Sequence, residues 1–542
     1  MGTDFLRAFD ARAFAAWGVL LLALGSWTAC NASSSADASG QVSGSPTASG
    51  GTGNPDIGIG NGTSVGGSTP LPPEKELDQT FRAPVATGRV LWSSNPDSGR
   101  VALIDAKTLK VRMTNAGFGP TYLAAVPSTA GVDAAIVLNV GSHDASFMQA
   151  TSEQISVTTI ATHTGANSWS ISDDGHFAIA WTDARQVTAP DPSDGFSELT
   201  VIDLTATPPA STRLSVGFRP SQVVFDAQKL HAYAVVDEGI SVLDLGAEPL
   251  VSSLISLTVN GGSARDVNIA HDGSFAVVRV DGSTDVEIVD LKSGTKNAVQ
   301  LESDATDLDV SADDKTATAV LGNETPPKVV RFAVPNPGSS LVSFPIAGEL
   351  VRSVTLSPDN QVALLYANAV PSNDLTLFDL TTDPNFKFRT VDLKGAVQRV
   401  YVSPDSQTAI AFQLPPSGSN KKGLFSIVPM STELRLSPKI VATDAVPQDV
   451  AFSDPAAGTA LVTVHDSSST VYGVYVVELA NLEQNFVALA SEPLPGAAGI
   501  VPDVRVGFVA QKHPEGRITF IDLDSRVTQT LTGFEIAARV VQ

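Results

Sequence analysis

Short runs of alternating apolar and polar residues recur along most of this chain, separated by turn residues and always in the same order. The clearest copy is SVTLSPDNQVALLYANAVPSNDLTLFDL, from Ser353 to Leu380. Its Val354-Thr355-Leu356 predicts a short strand, Ser357-Pro358-Asp359-Asn360 a tight turn, and Val362 to Tyr366 a second strand. Pro has φ already set for the second position of a type I turn, and Asp and Asn bond the backbone locally, so the three pieces form a hairpin. A polar loop from Pro371 to Asp374 leads to Leu375-Thr376-Leu377-Phe378-Asp379-Leu380, a third strand by composition and partial alternation. Segments such as Phe388 to Leu393 supply a fourth.

The unit returns as Val267-Asn268-Ile269, His271-Asp272-Gly273, Phe275 to Val280 and Val286 to Leu291. It returns again from Val400 and around Leu308, and further third strands read LTVIDL (Leu199 to Leu204), ISVLDL (Ile240 to Leu245), VALID (Val101 to Asp105) and ITFIDL (Ile518 to Leu523). A period of roughly 45 residues is that of a four-stranded propeller blade, not of a helical repeat. The fold class is therefore all-β. About ten units are expected, in one wide ring or in two joined rings, since single rings usually stop at about eight blades.

The folded region is expected to span 81–542. The first clear strand is Val90 to Ser93, which leaves the first unit without an innermost strand. The last residues, Glu535 to Val541, read as a first strand with nothing after it. Pairing them into the first blade would use both leftovers and remove two exposed edges. The recurring Asp at the end of the third strand (Asp203, Asp244, Asp290, Asp379, Asp522) is read as a terminator that accepts bonds from the backbone of the following turn.

Composition supports this reading and narrows function. Of 542 residues 43% are hydrophobic, enough for a large core, and Gly, Pro and Val favour strands and turns. With 57 acidic and 34 basic residues the formal charge is -23, which disfavours nucleic acid as a partner. Residues 1–29 read as an export signal: Arg7 and Arg12, an apolar run from Ala13 to Leu24, then small and polar residues. The run is short for a membrane span. Directly after it stands Cys30, the single cysteine of the chain, which has no internal disulfide partner. Residues 30–80 are dominated by Ser, Gly, Ala, Thr, Asn and Pro, too little apolar surface for a core, and predict a disordered tether. Gly62-Thr63-Ser64-Val65-Gly66 matches a hydrolase nucleophile motif, but has no strand before it and no helix after it.

The segment ending Ser26-Trp27-Thr28-Ala29-Cys30 resembles bacterial lipoprotein signals, with Trp27 where such signals usually carry Leu. That resemblance implies acylation of Cys30, a bacterial cell-envelope address, and a membrane partner through lipid, the outer membrane being the expected one. The repeats, with their V-x-x-S-P-D turn and V-x-V-x-D-L strand, resemble lactonase-like (YVTN-like) and WD40-like β-propellers. They are specific for fold and unspecific for function. Two functions are compatible with them: a binding or scaffold module for an envelope protein, anionic glycan or metabolite, and a hydrolase acting on a small extracytoplasmic substrate.

Candidate chemistry is sparse. None of the seven histidines falls in a zinc spacing, and His143, His163, His231, His465 and His513 are scattered over different units. His176 and His271 sit in turns and are read as solvated. No metal or cofactor is expected, because ligand spacings and tryptophan docking motifs are both missing. The chain is expected to act as a monomer. At the entry to the first strand of three units, counted as five residues before the serine-equivalent of the turn, stand Arg219, Arg265 and Arg352. In a chain so poor in basic residues they are the candidate anion-binding mouth of the channel. The competing reading pairs each with an acidic neighbour such as Asp266, Asp307 or Asp449, as a strut between blades.

Overall fold

A computed structural model describes residues 84–128, 131–187, 195–257, 265–382, 385–432, 436–453, 458–466 and 470–537. Cys30, the signal and the tether lie outside the described residues. The described strands form ten four-stranded antiparallel sheets. We number them as blades 1 to 10: 85–115, 120–161, 168–215, 222–256, 265–300, 307–345, 353–392, 396–443, 446–488 and 493–532. In every blade the four strands pair in sequence order, so each blade is an up-and-down meander.

The strands form where alternation predicted them. In blade 7, Ser353–Leu356 pairs with Val362–Tyr366, and Asp374–Asp379 follows. The hairpin turn is held from within: Ser357 Oγ donates to Asp359 Oδ1 at 2.6 Å, and the backbone N of Gln361 and of Val362 donate back to Asp359 and Ser357. Asn360 adopts φ 58°, a left-handed conformation Asn tolerates. The third-strand aspartates act as read from sequence. Asp203 Oδ1 accepts from the backbone N of Thr205 and Ala206, Asp290 from Lys292 and Ser293, and Asp522 from Asp524 and Ser525.

Each hydrophobic core lies between two blades. One joins blades 1 and 2 through Trp92, Leu103, Leu123, Val137 and Met148, and another joins blades 6 and 7 through Val320, Val329, Phe378 and Phe386. The series runs blade by blade around the molecule. It closes where Leu91, Ile104 and Met113 of blade 1 pack on Val506, Phe508 and Phe520 of blade 10. Ten sheets whose cores form one cycle are a single ring of ten blades, which resolves the expectation of one ring or two.

The manner of closure corrects the sequence expectation. Blade 1 has its own innermost strand, Val85–Thr87, paired with Val90–Trp92. Three residues are too few for alternation to reveal. Among the described residues the C-terminal segment adds no strand: Gly533 turns the chain at φ 67°, and Phe534–Ala537 form one turn of helix. Phe534 is 5% exposed and joins the core between blades 10 and 1. Glu535 accepts hydrogen bonds from Asn95 and Ser98 of blade 1. What its described residues contribute is the burial of one aromatic ring and the Glu535 bonds; residues 538–542 lie outside the described residues.

An up-and-down blade puts its first and third turns on one face of the ring and its middle loop, with the crossover to the next blade, on the other. The first-turn face is tied blade to blade by one recurrent device. Asn360 Oδ1 accepts from Ala312 N of the preceding blade at 2.8 Å, and Ser406 Oγ from Asp359 N at 3.1 Å. Asp314 likewise accepts from His271 N at 2.8 Å and pairs with the His271 ring at 2.9 Å. His271 sits in its turn 60% exposed, as read from sequence, and adds an inter-blade contact through Asp314. His176 remains 58% exposed, 3.5 Å from Asp174.

Candidate functional site

The crossover face gathers residues that are distant in sequence. Between blades 2 and 3 it holds a polar crevice of about 350 Å³, within the size range of small-ligand sites. One wall is the middle loop of blade 2 (Asn139, Val140, His143, Asp144), and the other is the crossover into blade 3 (Thr162 to Asn167). The loop is shaped by His143, which takes φ 54° and donates its N to Asn139 O at 2.9 Å. The His143 carbonyl then accepts from Thr162 N at 3.3 Å, which joins the two walls.

Asn139 is 1% exposed, and the orientation of its amide is set by its partners. Nδ2 donates to Asp144 Oδ1 at 2.6 Å and to Ser146 Oγ at 2.9 Å, which uses both amide hydrogens. Oδ1 is buried with no hydrogen-bond partner. A buried acceptor left unpaired costs about 1–3 kcal/mol, and a ligand donor would relieve that cost.

His163 is 1% exposed and is held by two hydroxyls: Nδ1 lies 2.9 Å from Thr200 Oγ1 and Nε2 lies 3.1 Å from Thr182 Oγ1. Burial, with the nearby Arg213 charge, pushes its pKa down to about 4. The ring is neutral at pH 7 and a weak base. Its partners are hydroxyls rather than a carboxylate, so nothing here raises its basicity as in a nucleophile–base–acid arrangement.

Beside the crevice, Phe118 stands 73% exposed on the crossover into blade 2. Its backbone is pinned: N accepts nothing but donates to Ser142 Oγ at 3.0 Å, and its O accepts from Gly141 N at 2.9 Å. Gly141 allows this packing, since a Cβ there would meet the Phe118 ring at 2.1 Å. The same Gly-Phe pair recurs at Gly217-Phe218 on the crossover into blade 4. Phe218 is 43% exposed, and its N donates to Glu238 at 2.7 Å. A polar crevice between blades 2 and 3 therefore has one exposed aromatic ring beside it, and a second stands on the next crossover of the same face.

The three candidate arginines are placed on blades 4, 5 and 7 and their connections. Arg352 N donates to Tyr366 O at 2.9 Å, as Thr306 N does to Val320 O and Asn167 N to Trp181 O. In blade 4 that position belongs to Ser221, whose N donates to Val235 O, so Arg219 stands two residues earlier, in the crossover turn, at φ 52°. Asp226 takes the serine place in this blade, so the residue five positions before it is Ser221 and not Arg219. Arg219 pairs with Asp237 of its own blade at 2.5 Å, with its guanidinium 5.1 Å from the Phe218 ring. Arg352 is 4% exposed, and its Nη1 donates to Asn323 of blade 6 at 2.8 Å. The Arg265 side chain lies outside what is described; its backbone pairs with Val280.

Sequence reasoning did not single out Arg279, which is 6% exposed and pairs with the buried Asp266. Its Nη1 reaches Asp281 at 2.6 Å and the Ala305 carbonyl of blade 6 at 2.8 Å. On the innermost strand of blade 9, burial pushes Asp449 up to about 6, against hydrogen bonding from Val450 and the Arg399 charge. His143 and His163, twenty positions apart, converge on one crevice, while His231 pairs with Asp226 and His465 lies 3.4 Å from Glu492. His231 meets Asp226 within one hairpin, whereas the other meetings join different loops and have no linear spacing to signal them.

No protein-family model matches this chain, and no curated protein matches it. Similar solved structures include a dihydro-heme d1 dehydrogenase, NirN, in complex with DHE, at 14% identity over 65% of this chain and 77% of that one, with a TM-score of 0.41. Kuenenia stuttgartiensis hydrazine synthase aligns at 14% identity over 69% of this chain and 100% of its own, with a TM-score of 0.33. The β-propeller domain of Cps50 (Swd1) from Myceliophteria thermophila aligns at 11% identity over 54% and 92%, with a TM-score of 0.32. None of their activities carries over at these levels of similarity.

Proposed function

We propose that this chain is an exported binding propeller, anchored by lipid at Cys30, that presents the crossover face of blades 2 to 4 to a polyhydroxylated envelope ligand such as a glycan. The observation that carries the reading is the crevice between blades 2 and 3, with the unpaired Asn139 Oδ1, Asp144 and the threonines on its walls and exposed Phe118 beside it. Hydroxyl-rich ligands match such a surface: their O–H groups donate to buried acceptors, and their C–H faces stack on aromatic rings. Capture rather than turnover is favoured by His163, whose low basicity and hydroxyl partners suit a fixed neutral group better than a general base.

Two of the three arginine candidates already have partners within the protein. Arg219 is neutralised by Asp237, and Arg352 ties blade 7 to Asn323 of blade 6. The crevice is the ligand contact that this reading proposes.

Two experiments test the reading. Thr164, exposed on the crevice wall, is replaced by Trp to fill the space, and retention of solubilised envelope polysaccharide by the immobilised full chain is measured. Loss of retention with an unchanged melting curve supports the site; retention equal to the parent protein removes it. For the anchor, Cys30→Ser should abolish palmitate labelling and release the protein from membranes. A parent protein that takes up no palmitate refutes the anchor.

A further inference from the structure

The charges around the crevice narrow its ligand class. Among the residues that line it, Asp144 carries the only carboxylate, and no lysine or arginine is present. His163 is neutral, and His143 stands exposed on the rim. The nearest cation behind the wall, Arg213, is occupied, its Nη2 donating to the Thr162 carbonyl at 2.5 Å. This lining belongs to a chain of formal charge -23, so an incoming carboxylate or phosphate meets repulsion both locally and at range.

Two acceptors stand side by side in the same place, Asn139 Oδ1 and the Asp144 carboxylate. Asn139 Oδ1 has no partner, and its amide cannot be turned to offer N–H instead, because that would set oxygen against the Asp144 carboxylate 2.6 Å away. A ligand group that fits must therefore donate, and donate more than once: to Asn139 Oδ1 and to Asp144. A hydroxyl has one hydrogen to give and a carboxylate none, whereas a protonated amine has three and also carries the charge that Asp144 attracts.

We propose that the crevice between blades 2 and 3 selects a ligand bearing a protonated amine, an unacetylated amino sugar within a glycan being the class that fits, over its neutral and carboxylate counterparts. This rests on the reading of the crevice as the binding site.

The experiment compares glucosamine, glucose and glucuronate binding to the purified full chain by titration calorimetry at 150 mM salt, in the parent protein, in Asp144→Asn and in Thr164→Trp. The Asn side chain retains an oxygen for the Asn139 amide and removes only the charge, so folding should be preserved. Glucosamine is expected to bind at least tenfold more tightly than glucose, with glucuronate weakest, and Asp144→Asn should erase the preference. Equal binding of the three sugars, a preference for glucuronate, no binding of any of them, or an undiminished preference in Asp144→Asn each overturn the selectivity. The two readings separate through Thr164→Trp: if it loses polysaccharide retention while glucosamine shows no advantage, only the amine selectivity fails. If it retains polysaccharide like the parent protein, the crevice itself is not the site.

Discussion

Replacing Arg279 by Met tests whether a buried ion cluster, rather than strand pairing alone, fastens blade 5 to blade 6. Arg279 pairs with Asp266 and Asp281 and donates to the Ala305 carbonyl across the blade boundary. Asp266 is 3% exposed; burial drives its pKa up, and the Arg279 charge and hydrogen bond hold it down. Methionine keeps most of the apolar stem but strands that carboxylate, and breaking a buried pair by removing one partner costs about 3–5 kcal/mol. The Ala305 carbonyl loses its donor as well, at a cost of about 1 kcal/mol. A deficit of about 4–6 kcal/mol at pH 7 is expected, read by urea unfolding through the buried Trp92, Trp169 and Trp181. The sign with pH follows from linkage. A carboxyl whose folded pKa is raised is stabilising, relative to higher pH, below its unfolded pKa and loses that contribution as pH rises through the folded value. The deficit of Arg279→Met should therefore shrink toward pH 4 and grow toward pH 8, and adding Asp266→Asn should recover most of it. A deficit below about 1 kcal/mol at pH 7, or one of equal size at pH 4 and pH 8, would refute the reasoning.

Other expectations follow the same logic. Asp449, raised to about 6 by burial, holds its stabilising contribution below pH 3.8 and loses it as pH rises through 6. Asp449→Asn should therefore gain up to about 3 kcal/mol at pH 7.5 and nothing at pH 4, as urea midpoints at the two pH values would show. His271 is raised chiefly by its hydrogen bond to Asp314, so that strut stabilises below its unfolded pKa of 6.5 and fades as pH rises through the folded value. Asp314→Asn should flatten the melting temperature between pH 6 and pH 8; a slope that persists assigns it to another group. Phe534→Ala should cost about 3 kcal/mol, the usual loss for a buried Phe, whereas an unchanged unfolding midpoint would mean that the C-terminal turn does not help close the ring.

Local structure is legible from the chain alone. The strands of each blade, the Ser-Pro-Asp turns and the third-strand aspartates are set by contacts between residues a few positions apart, as when Ser357 meets Asp359 or Asp290 meets Lys292 and Ser293. Alternation and turn chemistry report such contacts directly. The period of the repeat then named the fold, since each meander leaves apolar faces that only neighbouring blades can cover. Only the tertiary structure decided matters settled between blades. That the units make one ring depends on Leu91 and Phe508 sharing a core across more than 400 positions. Val85–Thr87 completes blade 1 but is too short to show alternation, while Phe534 is pulled inward by burial. The role of His271 depends on Asp314 in the next blade, and the crevice depends on Asn139, Asp144 and His163 meeting from two loops. Chain separation carries no trace of such encounters, since they arise when the ring closes and brings its loops together on one face.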